Sequence, residues 1–237
     1  MGHCPLSPQP VSPLAPPSRL VLAPDVSKYT TGLDATAVAA WKALGVGLVI
    51  VQSHPAGYGR DSSLALMQTL SDGGLRWDAY IYQYMGDAGW TEGALQTLDL
   101  AASKGLIPRR LWLDVEDVDT ERGWTAVQRV DAVRRDLGVL DQWSNRHQLL
   151  RAGIYSGRWY WGWDDAHPCY MGNATEFSDR PWWPSQYDGI QDAGRVALYG
   201  GWSLDKVCAK QFAGTSVLAD VAGVDLGVLS AMEATRL

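Results

Sequence analysis

The feature that most constrains the fold is a regular alternation of short apolar runs with helical patterns. Residues 46–51 read VGLVIV, a near-continuous run that is typical of a strand covered on both faces. A helical pattern over 34–45 precedes it, with Asp34 as a candidate N-cap and Gly45 just past the end. The same alternation continues through residue 156, so the chain is expected to build a largely parallel sheet covered by helices.

Eight candidate strands follow from these patterns, the first five separated by helices and the last three by loops. The strands are expected at 19–25, 46–51, 79–84, 110–116 and 151–156 and within 181–187, 207–212 and 221–226, and the helices at 34–45, 61–74, 91–105 and 123–140. This arrangement predicts an α/β fold, an irregular TIM-like β/α barrel with about eight strands and fewer than eight helices. An open doubly wound sheet is the alternative.

The first twenty residues differ in composition from the rest. Five prolines occur among the first sixteen residues, with neither the basic nor the apolar region of a usual signal peptide. We expect a Pro-rich tail or linker over residues 1–20, followed by a single barrel domain over 21–237. No run of 18 apolar residues occurs, so membrane insertion is not expected.

Charge and cysteine content restrict the function further. The net charge of −6 argues against nucleic acid or an anionic membrane as the main partner. Cys4, Cys169 and Cys208 are too few and too scattered for a disulfide framework or a metal cluster. A Cys169–Cys208 bridge and two free buried thiols both remain open.

The aromatic content is unusual, with twelve Trp and ten Tyr against two Phe. Trp and Tyr combine a flat apolar face with a polar atom, which suits a wet cleft better than a dry core. Sugar rings pack well on such faces. More than half of these aromatics are nevertheless expected to fill the core.

Four carboxylates follow one apolar run in the stretch RRLWLDVEDVDT, residues 109–120. Residues i and i+2 of a strand point to the same face, so Asp114 and Glu116 are expected to lie side by side. Mutual repulsion raises the pKa of one acid and suits the pair to glycosidic bond cleavage. A helix start with acids in its first turn is the alternative, and it is our interpretation of Asp117 and Asp119.

Two further acids lie near the expected strand ends. Asp25 ends the first candidate strand, and Asp225 lies at the end of the last. The first and last strands of a closed barrel are neighbours. Both acids are therefore expected at one rim, facing Asp114 and Glu116 across the mouth.

Five segments together resemble glycoside hydrolase family 25, the Chalaropsis-type lysozymes or N-acetylmuramidases. In order along the chain they are APDVSKY (23–29), LWLDVED (111–117), AGIYSGRWYW (152–161), WWPSQY (182–187) and GVDLGVL (223–229). The resemblance covers about residues 21–229. It implies the family's irregular barrel and hydrolysis of the β-1,4 bond between N-acetylmuramic acid and N-acetylglucosamine in peptidoglycan.

The resemblance also implies roles for individual residues. Glu116 would be the general acid/base and Asp114 would assist attack by the substrate's 2-acetamido group, while Asp25 and Asp225 would shape the pocket and tune the pair. The implied sugar contacts are Tyr84, Tyr155, Tyr187 and Gln211. No metal and no cofactor would be needed.

Two segments depart from the family's pattern. Residues 52–57 read QSHPAG, without the acid that the family usually carries there, and His54 either contacts substrate or caps the loop. Lys210-Gln211 replaces the family's common Trp-Gln. A non-catalytic glycan-binding or structural module that has kept the barrel is therefore the alternative function, and a hydrolase acting on another N-acetylated glucan is a third.

The resemblance also suggests a biological setting. A bacteriophage lysin released by host lysis, or a virion-associated lysin held through the N-terminal tail by a protein partner, would reach the bacterial cell wall without a signal peptide. Bacterial peptidoglycan is the expected partner.

Overall fold

The structure, a computed structural model, describes residues 20–84, 87–116, 123–161 and 170–237. Its eight strands close into one barrel in sequence order, which confirms the predicted irregular α/β barrel. The strands are β1 (Asp25–Thr31), β2 (Leu48–Gln52), β3 (Arg76–Tyr82), β4 (Leu111–Asp114), β5 (Gly153–Gly157), β6 (Trp182–Ser185), β7 (Ala209–Leu218) and β8 (Val221–Leu229). The helices are α1 (Ala35–Ala43), α2 (Arg60–Asp72), α3 (Ala88–Ser103), α4 (Ala126–Arg146) and α5 (Ala231–Ala234).

The eighth strand departs from an all-parallel barrel. Strands β1 to β7 pair in parallel, whereas β8 runs antiparallel to both β7 and β1. The two residues between β7 and β8, Ala219 and Asp220, both have positive φ, as a two-residue hairpin turn that follows the strand twist requires. A hairpin needs no crossover helix, so the barrel closes with fewer than eight helices.

Side-chain caps fix the starts of the helices. Asp34 accepts a hydrogen bond from the backbone N–H of Ala37 at 2.9 Å, which confirms it as the N-cap of α1. Thr125 and Gln128 form a capping box at the start of α4. Such caps satisfy backbone donors that would otherwise lack partners at a helix start.

The apolar run of β2 shows how the barrel wall is packed. Leu48 and Ile50 point into the barrel and join a cluster with Trp112. Val49 and Val51 point outward and join the larger core between the strands and the helices. Both faces of the strand are buried, which explains why its sequence is apolar at every position before Gln52.

An ion-pair network lies at the opposite end of the barrel from the carboxyl ends of the parallel strands. The carboxylate of Glu233, on α5, is fully buried and paired with Arg109 and Arg110, just before β4. Arg109 also lies 3.6 Å from Asp78, on β3. Helix α5 thus ties the last strand to the start of the fourth and covers this end.

Two sequence-based boundaries are wrong in a way that matters for the site. The first strand is expected over 19–25, but β1 begins at Asp25, because residues beyond it gain β8 as a partner out to Thr31. Asp225 lies in the middle of β8 rather than at its end. Since β8 is antiparallel, its middle still reaches the same rim.

Other predictions fall outside the described residues. These are most of the Pro-rich tail, the assignment of Asp117 and Asp119 to a turn and helix start, and Cys169. Cys208 is a buried, unbridged cysteine. Among the described residues, no helix combines the length and the apolar character needed to cross a membrane.

Candidate active site

A polar pocket of about 190 Å³ opens at the carboxyl ends of the parallel strands. Among the described residues, four carboxyl groups line it together with amide and aromatic side chains: three lie on β1, β4 and β8, and the fourth just past the end of β4. The lining residues are Asp25, Gln52, Tyr80, Tyr82, Asp114, Glu116, Tyr155, Trp183, Tyr187, Gln211 and Asp225. The structure therefore brings together all four acids that the sequence places at the rim.

Asp114 and Glu116 reach the pocket because the chain keeps strand alternation past the end of β4. Asp114 is the last residue of β4, and the backbone N–H of Val115 still bonds to Tyr155 at 2.9 Å. The side chain of Val115 is fully buried in the outer core. The next side chain, Glu116, therefore returns to the face that Asp114 occupies.

Burial raises the pKa values of both acids of this pair. The pKa of Asp114 lies well above its usual range, because of burial first and then repulsion by Glu116 and Asp25. Burial also raises the pKa of Glu116, partly offset by the hydroxyl of Tyr155, and Asp225 raises it further. The Oδ1 atom of Asp114 is buried and has no hydrogen-bond partner among the described residues. The pair thus combines raised pKa values with a buried acceptor atom that no described residue uses.

Asp25 and Asp225 form a second pair across the β1–β8 seam. They are register partners in the antiparallel ladder and face the same pocket. Burial raises the pKa of Asp25 well above its usual range, and repulsion by Asp225 adds to this. Burial also raises the pKa of Asp225, and hydrogen bonds from the Thr215 backbone and Gln211 offset only part of this rise.

The amide of Gln211 connects this second pair to two tyrosines. Its nitrogen donates to Asp25 Oδ2 at 2.8 Å and to Asp225 Oδ2 at 3.0 Å. Its oxygen accepts from the hydroxyls of Tyr155 at 2.5 Å and Tyr187 at 2.9 Å. One fully paired amide therefore fixes two acids on one side and two phenols on the other.

The loop after β6 holds Tyr187 against the pocket through a buried lysine. The ammonium of Lys210 is fully buried and lies 2.8 and 2.9 Å from the two carboxylate oxygens of Asp188. It also donates to the backbone carbonyl of Arg195 at 3.1 Å. Lys210, which stands where the resembling family commonly has Trp, thus clamps the segment that carries Tyr187.

Two predicted substrate contacts, His54 and Tyr84, do not line this pocket. His54 is buried against Tyr58 with ring centroids 5.5 Å apart, and its carbonyl accepts a bond from Thr97 at 2.6 Å. Burial, with a smaller effect of Lys28, lowers the pKa of His54 to about 4, so the ring is neutral near pH 7. Tyr84 lies farther out, with its ring 5.0 Å from that of Tyr82.

Four lining residues were not identified from the sequence: Gln52, Tyr80, Tyr82 and Trp183. The alternation of inward and outward side chains along each strand is the signal that could have identified them. Tyr80 and Tyr82 share one face of β3, and Trp183 faces inward while Trp182 stacks on Trp202 in the outer core. Among the described residues, no group of three or more His, Cys, Asp or Glu side chains is arranged to hold a metal ion.

Comparison with known sequences gives one partial match. No protein-family model matches the chain. Lysozyme-like protein 5 of Caenorhabditis elegans is 31% identical over 108 residues, which are 45% of this chain and 44% of the relative. The match therefore spans less than half of that relative's length.

Solved structures share the fold over most of the chain. The catalytic domain of endolysin ply40, from bacteriophage P40 of Listeria monocytogenes, has a TM-score of 0.65 at 17% identity and covers 92% of this chain and 97% of its own. The modular autolysin LytC of Streptococcus pneumoniae, in complex with a synthetic peptidoglycan ligand, has a TM-score of 0.60 at 14% identity, covering 88% and 46%. GHIP, a glycosyl hydrolase 25 of Streptococcus pneumoniae, has a TM-score of 0.54 at 17% identity, covering 89% and 87%. The chain therefore shares the barrel fold of glycoside hydrolase family 25, as its sequence resemblance predicts.

Proposed function

We propose that this chain is a peptidoglycan hydrolase, an N-acetylmuramidase that cleaves the β-1,4 bond between N-acetylmuramic acid and N-acetylglucosamine. The observation that carries the proposal is the Asp114–Glu116 pair, two acids with raised pKa values in a polar pocket at the barrel mouth. Three similarities support peptidoglycan as the substrate class. The chain shares its fold with an endolysin catalytic domain and with LytC, which was solved with a synthetic peptidoglycan ligand, and part of its sequence matches a lysozyme-like protein.

Glu116 acts as the general acid in this proposal. Its raised pKa keeps the carboxyl group protonated closer to neutral pH, so it can deliver a proton to the glycosidic oxygen as that bond breaks. The resulting carboxylate then takes a proton from the water that completes hydrolysis. Asp225 contributes to the raised pKa of Glu116 and in this way tunes the donor.

Asp114 positions the substrate's own nucleophile. Its unpartnered Oδ1 accepts a hydrogen bond from the N–H of the 2-acetamido group, which turns the acetamido oxygen towards the anomeric carbon. A donor at this atom also favours the carboxylate form of an acid whose pKa burial has raised. Tyr155, Tyr187 and Gln211, which also line the pocket, contact the sugar.

The proposal extends to where the protein acts. The fold shared with a phage endolysin domain supports a role as a lysin that reaches the bacterial wall on host lysis or on a virion. In the virion-borne case, the Pro-rich N-terminal tail attaches the barrel to a protein partner.

A cell-wall clearing assay with Glu116→Gln tests the proposal. Purified walls are treated with wild type, Glu116→Gln and the control Glu92→Gln, which removes an exposed acid on α3. Wild type and Glu92→Gln should clear walls, and Glu116→Gln should be slower by about 10²-fold or more. Equal clearing by all three proteins would refute the role of Glu116. No clearing by any of them, with wall binding retained, would indicate a glycan-binding module instead.

Mass spectrometry of the products tests the bond. Cleavage by a muramidase leaves N-acetylmuramic acid at the new reducing end. A reducing N-acetylglucosamine would refute this assignment while leaving the glycosidase class intact.

A further inference from the structure

An aromatic band continues from the pocket onto the rim of the barrel. It consists of the rings of Tyr82, Tyr84, Trp90 and Tyr58, with Lys28 at its outer end, and we call this set the rim ladder. Successive ring centroids lie 5.0 Å apart from Tyr82 to Tyr84, 4.3 Å from Tyr84 to Trp90 and 4.8 Å from Trp90 to Tyr58. Tyr82 also lines the pocket, so the ladder begins inside the site.

The ladder is built from separate elements at the same end of the barrel. Tyr82 ends β3 and Tyr84 follows it, Trp90 lies in the first turn of α3, and Tyr58 lies between β2 and α2. Tyr84 and Tyr58 are 38% and 44% exposed. Large rings that only filled a core would be covered, whereas these two are partly open to solvent, with Lys28 over one face of the Tyr58 ring.

Lys28 places a positive charge at the outer end of the ladder. Its ammonium lies 3.3 Å from the centroid of the Tyr58 ring and 3.5 Å from the Tyr58 carbonyl oxygen. Among the described residues, the ion pairs do not include Lys28. A cation without an acidic partner is notable beside a pocket with four carboxyl groups, in a chain of net charge −6.

We propose that the rim ladder is a binding subsite for a carboxylate-bearing glycan strand that continues out of the pocket. Sugar rings pack their apolar faces on Tyr84 and Tyr58, and a carboxylate on the glycan pairs with Lys28. Lys28 holds this carboxylate at the outer end of the ladder, away from the acids that line the pocket. This inference rests on the proposed function, because it takes the same strand as ligand.

Titration calorimetry with two oligosaccharides of equal length tests the ladder. The probes are a tetrasaccharide of alternating N-acetylglucosamine and N-acetylmuramic acid, which carries lactyl carboxylates, and the neutral tetra-N-acetylchitotetraose. Both are titrated at low ionic strength into Glu116→Gln, so that cleavage does not interfere. Lys28→Met, Lys28→Arg and Tyr58→Ala are added to this background. Lys104→Met, at an exposed lysine after α3, is the matched control for loss of one charge.

The ladder predicts a specific pattern of affinities. The carboxylated probe should bind more tightly than the neutral one, and Lys28→Met should weaken it about threefold to fivefold with little change for the neutral probe. Lys28→Arg and Lys104→Met should retain the preference. Tyr58→Ala should weaken both probes about twofold to tenfold, because the packing face is lost.

Three results would overturn the subsite: equal affinities of the parent for both probes, a preference that survives Lys28→Met, or failure of both probes to bind. Because calorimetry measures binding and not cleavage, this failure is distinct from failure of the proposed function. A protein that shows the Lys28-dependent preference but cleaves no cell wall would refute the hydrolase and keep the subsite.

Discussion

Replacing Gln211 by Glu perturbs the amide that links the acids of the pocket. The side-chain nitrogen lies 2.8 and 3.0 Å from oxygens of Asp25 and Asp225, so the substitution exchanges a donor for a third carboxyl group. Two unit charges about 3 Å apart repel by about 5 kcal/mol at an effective dielectric constant of about 20. Since a whole domain is stable by only about 5–15 kcal/mol, the folded variant is expected to take up a proton instead.

Proton uptake gives the loss of stability a defined dependence on pH. In the unfolded chain the new carboxyl group titrates near its ordinary pKa of about 4.3, whereas burial beside two acids raises its pKa in the folded state. Between these two values the folded variant holds more protons, so its stability falls by about 1.4 kcal/mol per pH unit relative to the parent. A rise from about pH 4.5 to about pH 6.5 should therefore remove about 2–3 kcal/mol. Below the unfolded-state pKa, the protonated group can donate a hydrogen bond as the amide does.

Urea unfolding of the parent and Gln211→Glu over this pH range measures the effect. Gln68→Glu is the matched control, because Gln68 donates to Asp72 at 2.7 Å on the exposed face of α2. Water screens the new charge there, and we expect a change of about 0–1 kcal/mol across the range. A pH-independent loss in Gln211→Glu, or an equal slope in Gln68→Glu, would refute the reasoning.

Three further substitutions test the site and its support. Asp114→Asn should lower kcat about 10²-fold and remove the acidic limb of a bell-shaped pH–rate profile. The alkaline limb, which comes from the general acid, should remain, and an unchanged acidic limb would contradict the role of Asp114. Lys210→Met should lower the free energy of unfolding by about 1–3 kcal/mol, because the partly exposed Asp188 carboxylate loses its cationic partner, and it should raise KM; urea unfolding and steady-state kinetics check both. Gly153→Ala should cost about 1–3 kcal/mol in the same unfolding assay, since a Cβ there would lie 2.4 Å from the Trp112 ring; parent-like stability would show that the wall can adjust.

The sequence predicts the barrel because its wall is periodic, but it does not predict the direction of every strand. The apolar run of β2, the N-cap at Asp34 and the glycine just past the end of α1, Gly45, follow from local rules and appear where expected. An apolar pattern has no direction, so the reversal of β8 is not visible in it. The reversal follows from the turn at Ala219 and Asp220, where two non-glycine residues adopt positive φ.

The site follows the same division between local and long-range information. The D-x-E spacing alone places Asp114 and Glu116 on one face, and barrel closure brings Asp25 to Asp225. The sequence places His54 at the rim because it follows β2, but the structure does not place it in the pocket lining. Its carbonyl instead bonds to Thr97 on α3, a contact that no local pattern encodes, and the ring is buried outside the pocket.

Gln211 and Asp114 have different roles in the pocket, because one has all its hydrogen bonds and the other does not. Gln211 has partners for both ends of its amide, so it stabilises the walls whether or not a ligand is present. Asp114 has a buried oxygen with no hydrogen-bond partner in the part of the chain that the structure describes, and burial raises its pKa well above the usual range. Such a group destabilises the folded chain and gains nothing from the protein itself. A ligand that supplies an N–H donor at this atom would relieve that cost, which is why the unpartnered Asp114 oxygen, more than the number of acids, favours a substrate with an amide beside the bond to be cleaved.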